Sequence, residues 1–197
     1  MKKREALIIV VSAPSGSGKT TLTEIILKKM TGIKRSVSYT TREPREGEKD
    51  EKDYVFISKD DFKAKADAGE FLEWEENFGN YYGTPLEQFA EAVEDGTDIV
   101  LSIDVKGAVK VKKMFPESIS VFIAPPSEEE LAERLRKRNT DHEEQVTMRL
   151  EESKKEMKRA DEYEYLIVNN DLEKAAEELK SIIETERENR KIKGGKK

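Results

Sequence analysis

The chain has 197 residues, with 42 acidic against 36 basic side chains, a formal charge of −6 and no cysteine. That length can bury one substantial core and suits a single domain carrying insertions, while the mixed charges suit a surface laced with ion pairs and give no basic footprint for nucleic acid. Disulfides, thiolate metal sites and cysteine nucleophiles are excluded, no apolar run reaches membrane-spanning length, and Met1–Glu5 leads straight into a core strand, so the expected setting is the cytoplasm with no membrane partner.

The first element is the run Leu7-Ile8-Ile9-Val10-Val11, whose unbroken aliphatic character predicts a buried parallel strand. A small-residue loop follows, Ser12-Ala13-Pro14-Ser15-Gly16-Ser17-Gly18, and Leu22, Ile25 and Ile26 then fall at helical spacing after Lys19. Strand, glycine-rich loop and helix in this order make a phosphate-binding loop: small residues let backbone N–H groups converge on an anion, and the helix N-terminus adds partial positive charge. In such a loop Lys19 reaches the outer phosphates and the Thr20 hydroxyl binds Mg²⁺. Ala13 stands where the general pattern has its first glycine, but Gly16, Gly18, Lys19 and Thr20 remain, and with the strand and helix in place a nucleoside triphosphate site outweighs an ordinary turn.

Gly32 is expected to end the first helix. The stretch Ser36–Thr41 is β-prone and leads to Arg42 and Arg45, held apart by Pro44. Two close guanidinium forks suit a doubly charged phosphate, although Glu43, Glu46 and Glu48 make a solvated charge cluster an equal reading from charge alone. Tyr54–Ile57 reads as a short strand, Ser58 and Asp61 as the cap of a helix ending near Gly69, and Glu70–Phe78, Gly79-Asn80 and Tyr81–Thr84 as a hairpin with its turn at Gly79-Asn80. Thr84-Pro85-Leu86-Glu87 has the pattern of a helix start, with Thr84 as its cap. Asp98–Asp104 is a buried strand that ends in a carboxylate at the side of a parallel sheet where ligands bind.

A helix over Lys106–Met114 and a strand over Ile119–Ala124 follow, and Ser127 with Glu130 form a capping box. That helix carries Arg134 and Arg138 on one face; after Asn139–His142 a long amphipathic helix from Glu143 to about Ala160 carries Arg149 beside the stripe Val146, Leu150 and Met157. Three arginines on an interrupted helical pair describe a mobile lid, but spacing alone equally describes salt-bridge decoration, and more economically. Tyr165–Val168 is the last core strand, Asp171 caps the final helix, and Lys191–Lys197 is expected to be a disordered tail. The resulting fold class is α/β: a mainly parallel sheet of the P-loop NTPase type with helices on both faces, a small β-rich lobe and a helical lid.

The segments SAPSGSGKT, SVSYTTREPREGE, FLEWEENFGNYYGT, IDVKGA, FIAPPS, RLRKRNT and YLIVNND together resemble guanylate kinases over almost the whole chain. The resemblance implies one domain over 1–197, with a core of 1–33, 96–126 and 161–190, a GMP-binding lobe over about 34–90, a lid over about 127–160 and a tail over 191–197. It implies ATP held by Ala13, Pro14, Ser15, Gly16, Ser17, Gly18, Lys19, Thr20 and Thr21, with Asn169 near adenine. On the GMP side it assigns Arg42, Arg45, Tyr54 and Tyr82 to the phosphate. Glu73, Ser38, Thr84 and Asp104 would read guanine, whose adjacent N1–H and 2-amino donors match a carboxylate. Lys19, Arg42, Arg134, Arg138 and Arg149 would be the catalytic cations and Thr20 the Mg²⁺ ligand. The implied reaction moves the ATP γ-phosphoryl group to GMP, in a monomer or homodimer with no nucleic-acid partner; a catalytically weak or inactive binding module is the contrasting reading. Ser102 departs from the family's usual aspartate, Lys106 from glutamine, Asn139 from glycine and Asn170 from aspartate.

Overall fold

In chain order the elements of the computed structural model are β1 (Ile8–Ser12), α1 (Lys19–Lys29), β2 (Ile33–Arg35), β3 (Tyr39–Thr40), β4 (Val55–Phe56), α2 (Lys59–Asp67), β5 (Phe71–Asn77) and β6 (Asn80–Pro85). They continue with α3 (Leu86–Asp95), β7 (Asp98–Ser102), α4 (Val105–Met114), β8 (Ile119–Ala124), α5 (Glu128–Lys137), α6 (Glu143–Met157), β9 (Tyr165–Val168) and α7 (Leu172–Gly194). The structure describes residues 5–137 and 143–194; Arg138, Asn139 and His142 lie outside them.

The aliphatic run of β1 lacks alternation because both of its faces are covered. Ile9 and Val11 pack with Leu22 and Ile26 of α1 and Ala176, Leu179 and Ile183 of α7. Val10 turns the other way, toward Phe89 and Ala92 of α3 and Ala108 and Val111 of α4. Burying each large aliphatic side chain contributes about 1.5–3 kcal/mol, so the strand is held from both sides. Its neighbours are parallel, and the five-stranded sheet runs β2-β7-β1-β8-β9. Parallel pairing puts the ends of β1 and β7 side by side, and the Ser12 hydroxyl donates to the Asp104 carbonyl at 3.4 Å.

A second, four-stranded sheet runs β4-β3-β6-β5. Its rings pack as a unit: Phe62 of α2 stacks on Phe71 and on Tyr81, with centroids 4.5 and 5.4 Å apart. In the lid, α5 and α6 share a small apolar seam of Leu131, Leu135, Val146 and Leu150.

Several local expectations are corrected. Ile33–Arg35 is an edge strand of the core sheet, paired with β7, and was hidden by its brevity and mixed polarity. The hairpin turns at Phe78-Gly79, both at positive φ (51° and 74°), with Asn80 already in β6. Thr84 caps nothing: Pro85 precedes α3 with no side-chain cap, and the Thr84 hydroxyl is buried against Glu73. Strand β7 stops at Ser102, and Asp104 caps α4 by accepting from the Gly107 amide at 2.8 Å. Helix α7 continues through residues 191–194, which were expected to belong to a disordered tail.

Asp98, at the start of β7, is fully buried and accepts from the Leu7 amide at 2.7 Å and from Arg187 Nε at 2.7 Å. It ties α7 to the sheet opposite the loop. Replacing Asp98 with alanine should cost about 3–5 kcal/mol, because it strands a partly buried guanidinium and a buried amide; urea denaturation at pH 7 measures it. A loss under about 1 kcal/mol would mean the clamp carries no stability.

Candidate active site

The loop between β1 and α1 takes its shape from two glycines in the left-handed region, Gly16 at φ 94° and Gly18 at φ 88°. A side chain at Gly16 would press within 3.1 Å of Leu131 and Leu135, and one at Gly18 would collide with the Asn169 amide. Those neighbours brace the loop, and Asn169 Nδ2 donates to the Ser17 carbonyl at 2.8 Å. Ala13, which replaces a glycine of the general pattern, buries its methyl in the core beside β1. Helix α1 starts without a side-chain cap or an acidic residue in its first turn, leaving its leading N–H groups for an anion.

Lys19 opens α1 and donates to the Ile103 carbonyl at 2.8 Å. Burial pushes its pKa down, and Asp104, Glu156 and Glu73 counter that by favouring the charge. Glu156, on α6, is itself pushed up to about 7 by burial, against the pull of Lys19. Sequence reading missed it. The signal was present as a polar stripe, Arg149, Glu152, Ser153 and Glu156, which repeats at helical spacing along α6 and lines one cleft.

On the small lobe, Glu73 is only 7% exposed. Burial raises its pKa to about 7; the Thr84 hydroxyl, donating at 2.5 Å, opposes the shift and the Asp104 charge adds to it. A Cβ on Gly107 would come within 2.5 Å of Glu73 Oε2, so the glycine of IDVKGA is what lets the carboxyl approach α4. Asn77 Nδ2 donates to Asp104 Oδ2 and links β5 to the same corner.

Arg42 forms a two-pronged pair with Glu48, both contacts at 2.9 Å, and lies over the Tyr54 ring at 5.5 Å. Glu48 also accepts from the Arg45 amide at 2.8 Å, so the acid read as mere charge balance shapes the arginine loop. Burial works against the Arg42 charge, but Glu48 and Tyr82 more than offset it, leaving the pKa raised.

These groups face one cleft of about 590 Å³, lined by the loop with Lys19 and Thr20, the lobe with Ser38, Arg45 and Tyr82, the end of β7, and Arg149 of the lid. Arg149 reaches the Ser15 hydroxyl at 3.5 Å. Thr84, Asn169 and Arg134 do not line it. Thr84 lies behind Glu73, the Asn169 amide expected near adenine braces the loop, and Arg134 pairs with Glu130 at 3.0 Å and donates to the Asn169 carbonyl at 3.3 Å.

A family model described as guanylate kinase matches residues 5–186. The chain belongs to the guanylate kinase family. A guanylate kinase of Caldanaerobacter subterraneus subsp. tengcongensis is 43% identical over 185 residues, covering 94% of this chain and 90% of its own. One from Aromatoleum aromaticum is 46% identical over 180 residues, covering 91% and 88%. The crystal structure of guanylate kinase from Anaplasma phagocytophilum superposes with a TM-score of 0.80 at 36% identity, over 95% of this chain and 89% of that one. The mainly parallel sheet flanked by helices described above is thus the fold of that guanylate kinase.

Within this guanylate kinase site, Glu73 should titrate near pH 7 in carboxyl ¹³C NMR of the ligand-free protein, well above an ordinary carboxylate. Thr84→Val removes the hydroxyl that favours the ionised form, so the midpoint should rise further. A midpoint near 4.5 in the unaltered protein, or a fall in the variant, would contradict the burial argument.

Proposed function

We propose that the chain transfers the γ-phosphoryl group of ATP to the phosphate of GMP, giving ADP and GDP. What supports this reading is one cleft lined both by the small-residue loop with Lys19 and by the buried carboxyl of Glu73, with Asp104 between them. The bond from the γ-phosphorus to the ADP oxygen breaks, and a bond from that phosphorus to a GMP phosphate oxygen forms. A phosphate monoester is largely dianionic at pH 7, with a second pKa of about 6, so no general base is needed.

The chain's own residues position the two phosphates and offset their charge. The 13–18 loop, through its N–H groups at Ser15, Gly16 and Gly18, and Lys19 hold the donor, with Thr21 beside them; Arg149 supplies a cation from the lid, and Arg134 and Arg138 are assigned there by the family resemblance. Arg42 and Arg45, with the phenols of Tyr54 and Tyr82, hold the acceptor phosphate, Arg42 exchanging part of its Glu48 pairing for the ligand. Ser38 attends the guanine O6 side and Asp104 its 2-amino side, while Thr84, behind them, holds Glu73 through its hydroxyl. The paired guanine donors favour ionised Glu73, so GMP draws this carboxyl back toward its charged form.

Among the described residues no cluster of three or more acidic or histidine side chains could cage a metal ion. That fits Mg²⁺, which keeps several waters and arrives on nucleotide phosphates, with the Thr20 hydroxyl as the protein's ligand. Bound there, it would neutralise charge on the donor phosphates. Ser102, 3.4 Å from the Thr23 hydroxyl, leaves this corner without the carboxylate usual in the family. The setting we assign is the cytoplasm, as a monomer or homodimer acting on small molecules, without nucleic acid or membrane. The lobe over about 34–90 and the lid over about 127–160 are the moving parts.

In a coupled ADP-release assay with ATP, turnover should be strong with GMP and much weaker with AMP, CMP or UMP; equal rates with all four would defeat the assignment. Glu73→Gln should cost roughly tenfold or more in selectivity for GMP, as when a matched polar contact is spoiled. Ser102→Asp should raise turnover or Mg²⁺ affinity, and an unchanged Mg²⁺ titration and rate would make the departure silent.

A further inference from the structure

The β5–β6 hairpin turns through two residues of positive φ, Phe78 at 51° and Gly79 at 74°. A tight turn of this kind takes asparagine, aspartate or glycine at its first position without strain, whereas a bulky side chain there is an outlier. Phenylalanine at 78 is therefore a poor choice for the turn itself. Its ring is 52% exposed, and the ring stacking of the lobe, among Phe62, Phe71, Trp74 and Tyr81, does not include it. What the ring meets is the lid: the Arg149 guanidinium carbon lies 5.9 Å from its centroid. The same guanidinium reaches Ser15 in the phosphate-binding loop, and the preceding residue, Asn77, anchors the hairpin to Asp104.

We propose that Phe78 is a positioning residue, a latch by which the acceptor lobe seats the lid arginine Arg149 over the donor phosphates. A guanidinium lying over an aromatic face can still donate its in-plane N–H groups to phosphate oxygens, while the ring holds its position. The ring thus ties the β5–β6 hairpin to α6 beside the loop, where the same guanidinium reaches Ser15. Backbone strain at position 78 is the cost of presenting that ring at the tip, and strain retained at a functional corner is a known pattern. This inference rests on the phosphoryl-transfer reading above.

Phe78→Asn separates the two roles of the position, since asparagine accepts the left-handed turn but lacks the ring. The melting temperature should be equal to or above that of the unaltered chain. Meanwhile kcat should fall about three- to tenfold, the size a half-exposed cation–π contact allows, with KM for GMP little changed. Phe78→Tyr should keep kcat, and Phe78→Leu, which keeps apolar bulk without an aromatic face, should lose it as asparagine does. Unchanged kcat in Phe78→Asn, or equal kcat in the Tyr and Leu variants, overturns the latch; the Tyr and Leu pair decides it if the asparagine variant does not fold. An unaltered chain that fails to phosphorylate GMP overturns the reading of function and the latch together, whereas an active chain with indifferent variants overturns the latch alone.

Discussion

An ammonium group surrounded by protein is costly unless opposite charge and hydrogen-bond acceptors accompany it, and the cleft is arranged around that requirement. Lys19 has the Ile103 carbonyl at 2.8 Å and the carboxyl groups of Asp104, Glu156 and Glu73 acting on its charge. Those partners come from three separate parts of the fold: the end of β7, the lid and the small lobe. Parallel pairing of β1 with β7 supplies the first, because it ends both strands at the same edge. The lid contributes the second from α6, while its partner helix α5 rests Leu131 and Leu135 against Gly16, where a side chain would crowd them. Phosphate groups entering the cleft would take over the role that carboxyl groups fill in their absence, and the carboxyls would be left for other donors.

The acceptor side follows the same logic with the sign reversed. Glu73 is buried beside Asp104, and its carboxyl is raised to about 7 in spite of the Thr84 hydroxyl. A pair of nitrogen-bound hydrogens would draw such a carboxyl to its ionised form, because the ligand provides the compensation that solvent no longer can. Gly107 makes the arrangement sterically possible. Glu73 is not an isolated carboxyl: the Asp104 charge adds to its shift, while the Thr84 hydroxyl and Lys110 oppose it.

The fold was largely legible because its elements obey local rules: an unbroken aliphatic strand, a small-residue loop, and caps at Ser58, Ser127 and Asp171 whose hydroxyl or carboxylate oxygens accept the expected amides. Elements fixed by tertiary contact were not. Ile33–Arg35 is a strand because β7 lies beside it, and Thr84 matches a capping motif that the burial of Glu73 overrides. The site divides in the same way. Most cleft residues stood in recognisable motifs, whereas Glu48 and Glu156 were lost among many surface acids, since only the fold reveals which carboxyls are desolvated. Asn169 was associated with adenine through its motif, but its amide is committed to the Ser17 carbonyl, a contact 152 residues away in sequence that no local pattern encodes.

Arg187 and Arg190 carry this long-range character furthest. The first fastens Asp98 across a separation of 89 residues; the second holds the carbonyl of Ala6 across 184 and that of Glu117 as well. Helix α7 thus staples together strands made far earlier in synthesis, including the one that leads into the phosphate-binding loop. A ribosome delivering this chain emits β1 and the loop after it long before α7, so the nascent sheet lacks these fastenings until α7 has emerged. Closure of the sheet beneath the cleft thereby waits on a helix that does not line it.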